Sequence, residues 1–138
     1  MEIPAADTPV ACDMSTAPDT ATERLAEYQH LFATHLIGRE RTANGVVRFR
    51  LRCADGLEDQ IRDLAAREHA CCAFMAFEVT VVGDEIHWDA AVSDNPAARA
   101  ILDEFYGLPD TAGQDPAGLA ERYQDHGLTF INGDPLKQ

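Results

Sequence analysis

Between residues 44 and 53 the chain reads NGVVRFRLRC. Val47, Phe49, Leu51 and Cys53 alternate there with Arg48, Arg50 and Arg52. A period of two places the apolar side chains on one face of a strand and the arginines on the other. This pattern allows only a sheet with one buried face. Asn44-Gly45 just before it is a type I′ hairpin signal, which pairs the strand with the segment preceding it. A second hairpin follows the same logic: FMAFEVTVV, a turn at Gly83-Asp84, then EIHWDAAV. Phe77, Val79 and Val81 share one face of its first strand. Ile86, Trp88, Ala90 and Val92 share one face of its second.

Helical periods separate the strands. Thr20 and Glu23 form a capping box, and Leu25, Tyr28, Phe32 and Leu36 lie on one stripe of the helix that follows, which runs to about Leu36. Asp55, with Glu58 three residues on, predicts the start of a second helix running to about Cys71. Asn95 followed by Pro96 is an N-cap with proline at the first helical position, opening a third helix that ends near Gly107. The order is α-ββ-α-ββ-α, an α+β class in which an antiparallel sheet of two hairpins carries helices on one face. The unit from about 38 to 106 reads as two successive ββα elements. Residues 1–19, with Pro4, Pro9 and Pro18, read as an extended arm, 20–107 as a single domain, and 108–138 as a tail rich in Gly, Pro and Asp. The tail has one short candidate helix from Pro116 to about Asp125, and is expected to wrap the domain or a partner subunit.

The net charge of −13 argues against electrostatic binding of nucleic acid or a membrane surface. No apolar run approaches the ~18 residues of a membrane span, and MEIPAADTPVACDMS has neither the basic nor the apolar region of a secretory signal, so a cytoplasmic protein is expected. In that setting four cysteines imply free thiols, a metal site or a reactive thiol rather than a disulfide framework.

Those thiols concentrate in REHACCAF, residues 67–74. Leu57, Ile61, Leu64 and Ala65 form the apolar stripe of the second helix, and extending it reaches Glu68, then Cys71 or Cys72. Glu68 therefore projects toward the core, where a carboxylate must be paired or must shift its pKa upward. It is either structural, holding an arginine or backbone groups, or a proton carrier. Adjacent cysteines on a helix point about 100° apart, so both sulfurs approach one point only where the helix ends. A soft metal or metalloid held by thiolates, a redox-labile disulfide between neighbours, and plain core packing all fit this pair. His69 points about 100° from Glu68 and flanks the site. His35 on the first helix is a candidate to line the same pocket.

Val10-Ala11-Cys12, together with Arg67-Glu68-His69-Ala70-Cys71-Cys72-Ala73-Phe74, resembles a family of small uncharacterised bacterial proteins, some of them associated with genes for mercury-type regulators. Members look like an N-terminal I/V-x-C followed by a helix, then an R-E-x-x-C-C-P-F block running into a strand. The resemblance covers about residues 9 to 106 and departs at Ala73, where proline is usual, which loosens the turn after the cysteine pair. It implies that Cys12 joins Cys71 and Cys72 as a third thiol if the arm folds back. Three sulfurs suit Hg(II), Cu(I), Zn(II) or As(III). By analogy of chemistry, organomercury cleavage also needs thiolates and a carboxylic acid, roles open to Cys12, Cys71 or Cys72 and Glu68.

The expected function is a soluble thiol site of Cys71 and Cys72, with Cys12, that binds a soft metal such as Hg, Zn or Cu. The alternative is a small enzyme on an organic substrate, with Glu68 as acid or base, Cys71 or Cys72 as nucleophile or pocket wall, and arginines as an anion clamp. A third reading is an interaction module using the tail. Expected partners are a metal ion or small molecule, with a homodimer as the protein partner allowed. Cys53 is expected in the core, at the inward end of its strand. His30, His87 and His126 read as surface or edge residues. Arg39, Arg41, Arg48, Arg50 and Arg52 are five of the eleven basic residues; pairing across the hairpin with Glu40 or with acidic helices is favoured over an anion-binding face.

Overall fold

A computed structural model describes residues 1–42, 44–113 and 116–131. After β1 (Ala11–Cys12) come α1 (Ala21–His35), β2 (Leu36–Arg41), β3 (Val47–Arg52), α2 (Leu57–Cys71), β4 (Met75–Val82) and β5 (Glu85–Val92). Then follow α3 (Pro96–Tyr106), α4 (Leu108–Thr111), α5 (Pro116–Asp125) and β6 (Thr129–Phe130). The mixed class and the four-stranded antiparallel sheet agree with the sequence. The strand order is β2-β3-β5-β4, so the two hairpins meet through their second strands. That reversal is what two ββα units placed back to back produce.

The alternation of β3 and β5 is realised from Val47 to Leu51 and from Ile86 to Ala90. Val47, Phe49, Leu51, Ile86, Trp88 and Ala90 are buried. On the other face the arginines are paired: Arg48 with Asp89 at 2.8 Å, Arg50 with Glu85 at 2.9 Å and Arg52 with Asp84 at 3.1 Å. Arg39 and Arg41 reach Asp110 and Asp103. All five arginines are thus engaged with carboxylates, the pairing favoured from the sequence. The core centres on Trp88, stacked on Tyr28 at 5.7 Å and flanked by Phe49, Phe77 and Phe105 at about 6 Å. Such ring pairs contribute about 0.5–1.5 kcal/mol each beyond the area they bury.

The caps of α1 and α3 follow the sequence. Thr20 Oγ1 accepts from the Glu23 N–H, and the Thr20 N–H donates to the Glu23 carboxylate. Asn95 Oδ1 accepts from the N–H groups of Ala97 and Ala98. Two local expectations are corrected. Helix α2 is not capped by Asp55: its N-cap is Gly56 at φ 76°, with no side-chain cap hydrogen bond, because the chain leaves β3 through a turn only glycine accommodates freely. The first hairpin has a longer loop than a two-residue turn. Thr42 and Val46 close it through Thr42 N–H to Val46 O, and Gly45 carries the left-handed conformation. The second hairpin keeps the tight Gly83-Asp84 turn, with Gly83 at φ 61°.

The segment after α3 adds Leu108, Ala112, Leu119 and Leu128 to the same core. β6 then pairs in parallel with β1 of the arm, through Thr129 N–H to Val10 O and Ile131 N–H to Cys12 O. Residues 132–138 lie outside the described residues. Among the described residues no helix is long and apolar enough to cross a membrane.

Candidate functional site

The last two turns of α2 deliver the site. The apolar stripe through Ile61, Leu64 and Ala65 is buried, and the helix holds its period through Glu68 to Cys71. Cys72 is the C-cap, its N–H donating to the Glu68 carbonyl, so the helix ends between the two cysteines. As the spacing implies, Glu68 turns inward: its side chain is 15% exposed.

The arm does fold back. The Asp13 N–H donates to the Cys71 carbonyl at 2.9 Å, which seats Cys12 beside the end of α2. There Cys12 and Cys72 form a disulfide across 60 residues of sequence, with their Cα atoms 4.5 Å apart. The pairing corrects the expectation of free thiols at both positions. It arises because β6 and Cys71 hold the arm by backbone hydrogen bonds within reach of Cys72. Cys71 remains a free, buried thiol. With two sulfurs joined, no group of three His, Cys, Asp or Glu side chains is placed to hold a metal among the described residues.

Glu68 and Cys71 share a partner that the sequence reading did not single out. Arg24 of α1 is 4% exposed and donates through Nη1 to Glu68 Oε1 at 2.9 Å and to Cys71 Sγ at 3.5 Å. Its Nε and Nη2 grip both oxygens of Asp19, at 3.0 and 2.6 Å. Arg67 also reaches Asp19, at 2.8 Å, and holds Glu27. The signal for Arg24 was present, since it precedes Tyr28 by four residues and so lies on the buried stripe.

These ions perturb one another. Burial raises the pKa of Glu68, and the attraction and hydrogen bond of Arg24 offset only part of that rise. Asp19 is held below its ordinary value by its hydrogen bonds to Arg24. Burial opposes the charge on Arg24 most strongly, yet Asp19, Glu68 and Cys71 together raise its pKa. Burial likewise raises Tyr28 and Tyr123.

Arg24, Tyr28, Glu68, Cys71 and Tyr123, but not Asp19, line one half-open cavity of about 110 Å³. Arg24, Tyr28, Glu68, Cys71, Tyr123 and the Cys12–Cys72 bridge form its polar and sulfur-bearing wall. Leu25, Met75, Ile101, Phe105, Leu119 and others complete it with apolar surface.

Cys53 and His35 depart from expectation, while His69 points away from Glu68 as its spacing implies. Cys53 is exposed rather than in the core: β3 ends at Arg52 and the chain turns away, so the alternation does not carry one residue further. His69 is exposed, and its Nδ1–H donates to the Met75 carbonyl at 2.7 Å, on the outer side of α2. His35, the last residue of α1, is outside the cavity wall, about two turns beyond Tyr28, where that helix last borders it. Sequence and structure comparisons found no matching family model, curated protein or solved structure.

Proposed function

We propose that this chain is a small thiol protein whose Cys12, Cys71 and Cys72 capture a soft metal ion or metalloid once the Cys12–Cys72 bond is reduced. One observation carries the reading. Three sulfurs from two distant parts of the chain, the arm and the end of α2, line one cavity, and two of them are bonded to each other. Opening the site takes a two-electron reduction by a thiol reductant, which leaves as its own disulfide while Cys12 and Cys72 gain one proton each. In a reducing cytoplasm a pair of this kind is drawn toward the dithiol form. Thiolates then replace their protons with Hg(II), As(III), Cu(I) or Zn(II), and the released protons make binding depend on pH. Glu68 is placed to take one of them, and Arg24 stays as the fixed cation beside Cys71.

The test is titration of reduced and oxidised protein with Hg(II), followed by thiolate–metal absorbance. Stoichiometric binding by the reduced form alone, lost in Cys71→Ser/Cys72→Ser, is expected. Binding by that variant as tight as by the wild type ends the proposal. A second reading, an enzyme on a small organic substrate with Glu68 as acid or base, is favoured by the raised pKa of Glu68 at the wall of an apolar cavity.

A further inference from the structure

The cavity contains a polar group that neither thiol nor carboxylate chemistry accounts for. Tyr28 is 3% exposed, and its hydroxyl is buried without a hydrogen-bond partner among the described residues. Folded proteins rarely leave such a group unpaired, because it has surrendered its water and received nothing in exchange. The Tyr28 ring is fixed by stacking on Trp88, with the planes 4° apart, and by edge contact with Phe105. The side chain also lines the cavity.

We infer that this cavity is a binding site for a small neutral molecule with a short apolar body and one accepting oxygen, seated on the Tyr28 hydroxyl. Size, charge and the donor each narrow the ligand. A cavity of roughly 150 Å³ lined by aliphatic and aromatic groups holds benzene. By proportion, 110 Å³ takes an organic body of about four or five non-hydrogen atoms. A charged ligand has no free counterion here. Four of the five Arg24 N–H groups go to Asp19, Glu68 and Cys71, the two carboxylates match its charge, and Glu68 is itself paired with it. Burial raises the pKa of Tyr28, so its hydroxyl keeps its proton and offers a donor that an accepting oxygen on the ligand satisfies. Short ketones, aldehydes and ethers meet all three conditions. None of this depends on metal capture or on reduction of Cys12–Cys72.

The experiment titrates the oxidised protein with 2-butanone and with 2-methyl-1-butene, which has the same shape with CH2 in place of the oxygen. Trp88, the single tryptophan, reports through fluorescence, and amide shifts of α1 confirm the location. Saturable butanone binding is expected with a Kd on the order of 1 mM, as suits so small a ligand. Tyr28→Phe keeps the ring and removes the donor. It is expected to weaken butanone about five- to tenfold while leaving the alkene within about twofold. Leu25→Trp fills the cavity and, read by the α1 amide shifts because it adds a second tryptophan, is expected to abolish both. Absence of saturable butanone binding, equal loss of both ligands in Tyr28→Phe, or full binding by Leu25→Trp overturns the assignment. Because the oxidised form is titrated, and the thiol reading requires the reduced one, the two proposals fail separately.

Discussion

Replacing Arg24 with methionine keeps most of the buried stem and removes the guanidinium. The lost bonds are two to Asp19, one to Glu68 at 2.9 Å and one to the Cys71 sulfur. Removing one partner of a buried ion pair costs about 3–5 kcal/mol, because the charge left behind has neither water nor counterion. Glu68 is that charge. Its pKa is already raised by burial in the wild type, so folding favours its protonated form and its ionisation costs stability as pH rises. Without Arg24 the rise is larger, and the cost is greatest where unfolded Glu68 is fully ionised. Asp19 adds to the deficit at neutral pH. Its lowered pKa contributes stability above the ordinary carboxylate range, lost as pH falls through the folded value, and without Arg24 only the contact with Arg67 preserves part of it. The Glu68 effect makes Arg24→Met most destabilised near neutrality and less so in mild acid, while the Asp19 effect, complete above the ordinary carboxylate range, is the same at pH ~7 and pH ~5. Urea unfolding followed by Trp88 fluorescence reads this directly. With a urea slope of about 2 kcal/mol/M, the midpoint falls by about 2 M at pH ~7 and by roughly half that at pH ~5. A domain of this size has about 5–15 kcal/mol to lose, so the variant stays folded without denaturant. A midpoint shift equal at the two pH values, or below about 0.3 M, refutes the claim that Arg24 holds a buried charge at Glu68.

The Cys12–Cys72 bridge closes a 60-residue loop, worth about 4 kcal/mol of chain entropy in the denatured state. Cys12→Ser should therefore lower thermal stability to about the level of wild type under reductant, and reductant should leave the variant unchanged. Alkylation of native, non-reduced protein should label Cys53 rapidly and Cys71 only on unfolding, since one is exposed and the other buried. Peptide mass analysis checks this, and equal labelling of both contradicts the burial of Cys71.

The hairpins were legible because a period of two admits few readings. Phe49, Leu51, Ile86 and Trp88 face the core as the alternation requires. Caps written in adjacent residues, Thr20 with Glu23 and Asn95 with Pro96, were equally plain. The inward turn of Glu68 followed from extending one stripe by three positions. What escaped depended on distance in sequence or on where an element stops. The Cys12–Cys72 bond exists because β6 pairs with β1, a contact between the two ends of the described chain that no local pattern announces. Cys53 failed by one residue, since alternation is silent on where a strand ends. Arg24 was passed over because a charge on an apolar stripe looks like an interruption. Only its partners Asp19 and Glu68, the latter 44 residues away, make burial tolerable. In the tail, Leu119 and Leu128 are core residues hidden among Gly, Pro and Asp.

The same cavity wall holds a buried ion pair, a buried free thiol and an unpartnered hydroxyl. The ion pair and the hydroxyl are not what stability alone would select. Replacing a buried ion pair by apolar side chains of similar volume is often neutral or favourable, and an unpaired hydroxyl is unfavourable outright. One structural use remains for the ion pair. Arg24 bridges Asp19 at the root of the arm to Glu68 on α2, so it fixes the path that carries Cys12 to Cys72. That use explains Arg24 and Asp19. It does not explain why Glu68 sits inward rather than on the exposed face, nor why position 28 is tyrosine and not phenylalanine. Elsewhere the sheet holds partly exposed ion pairs such as Arg48–Asp89 and Arg50–Glu85, and Trp88 Nε1 and Ser93 Oγ are buried away from the cavity without a partner among the described residues. What sets the cavity apart is that an inward carboxylate, a free thiol and an unpartnered hydroxyl share one wall, the kind of gathering of perturbed groups that makes a candidate site.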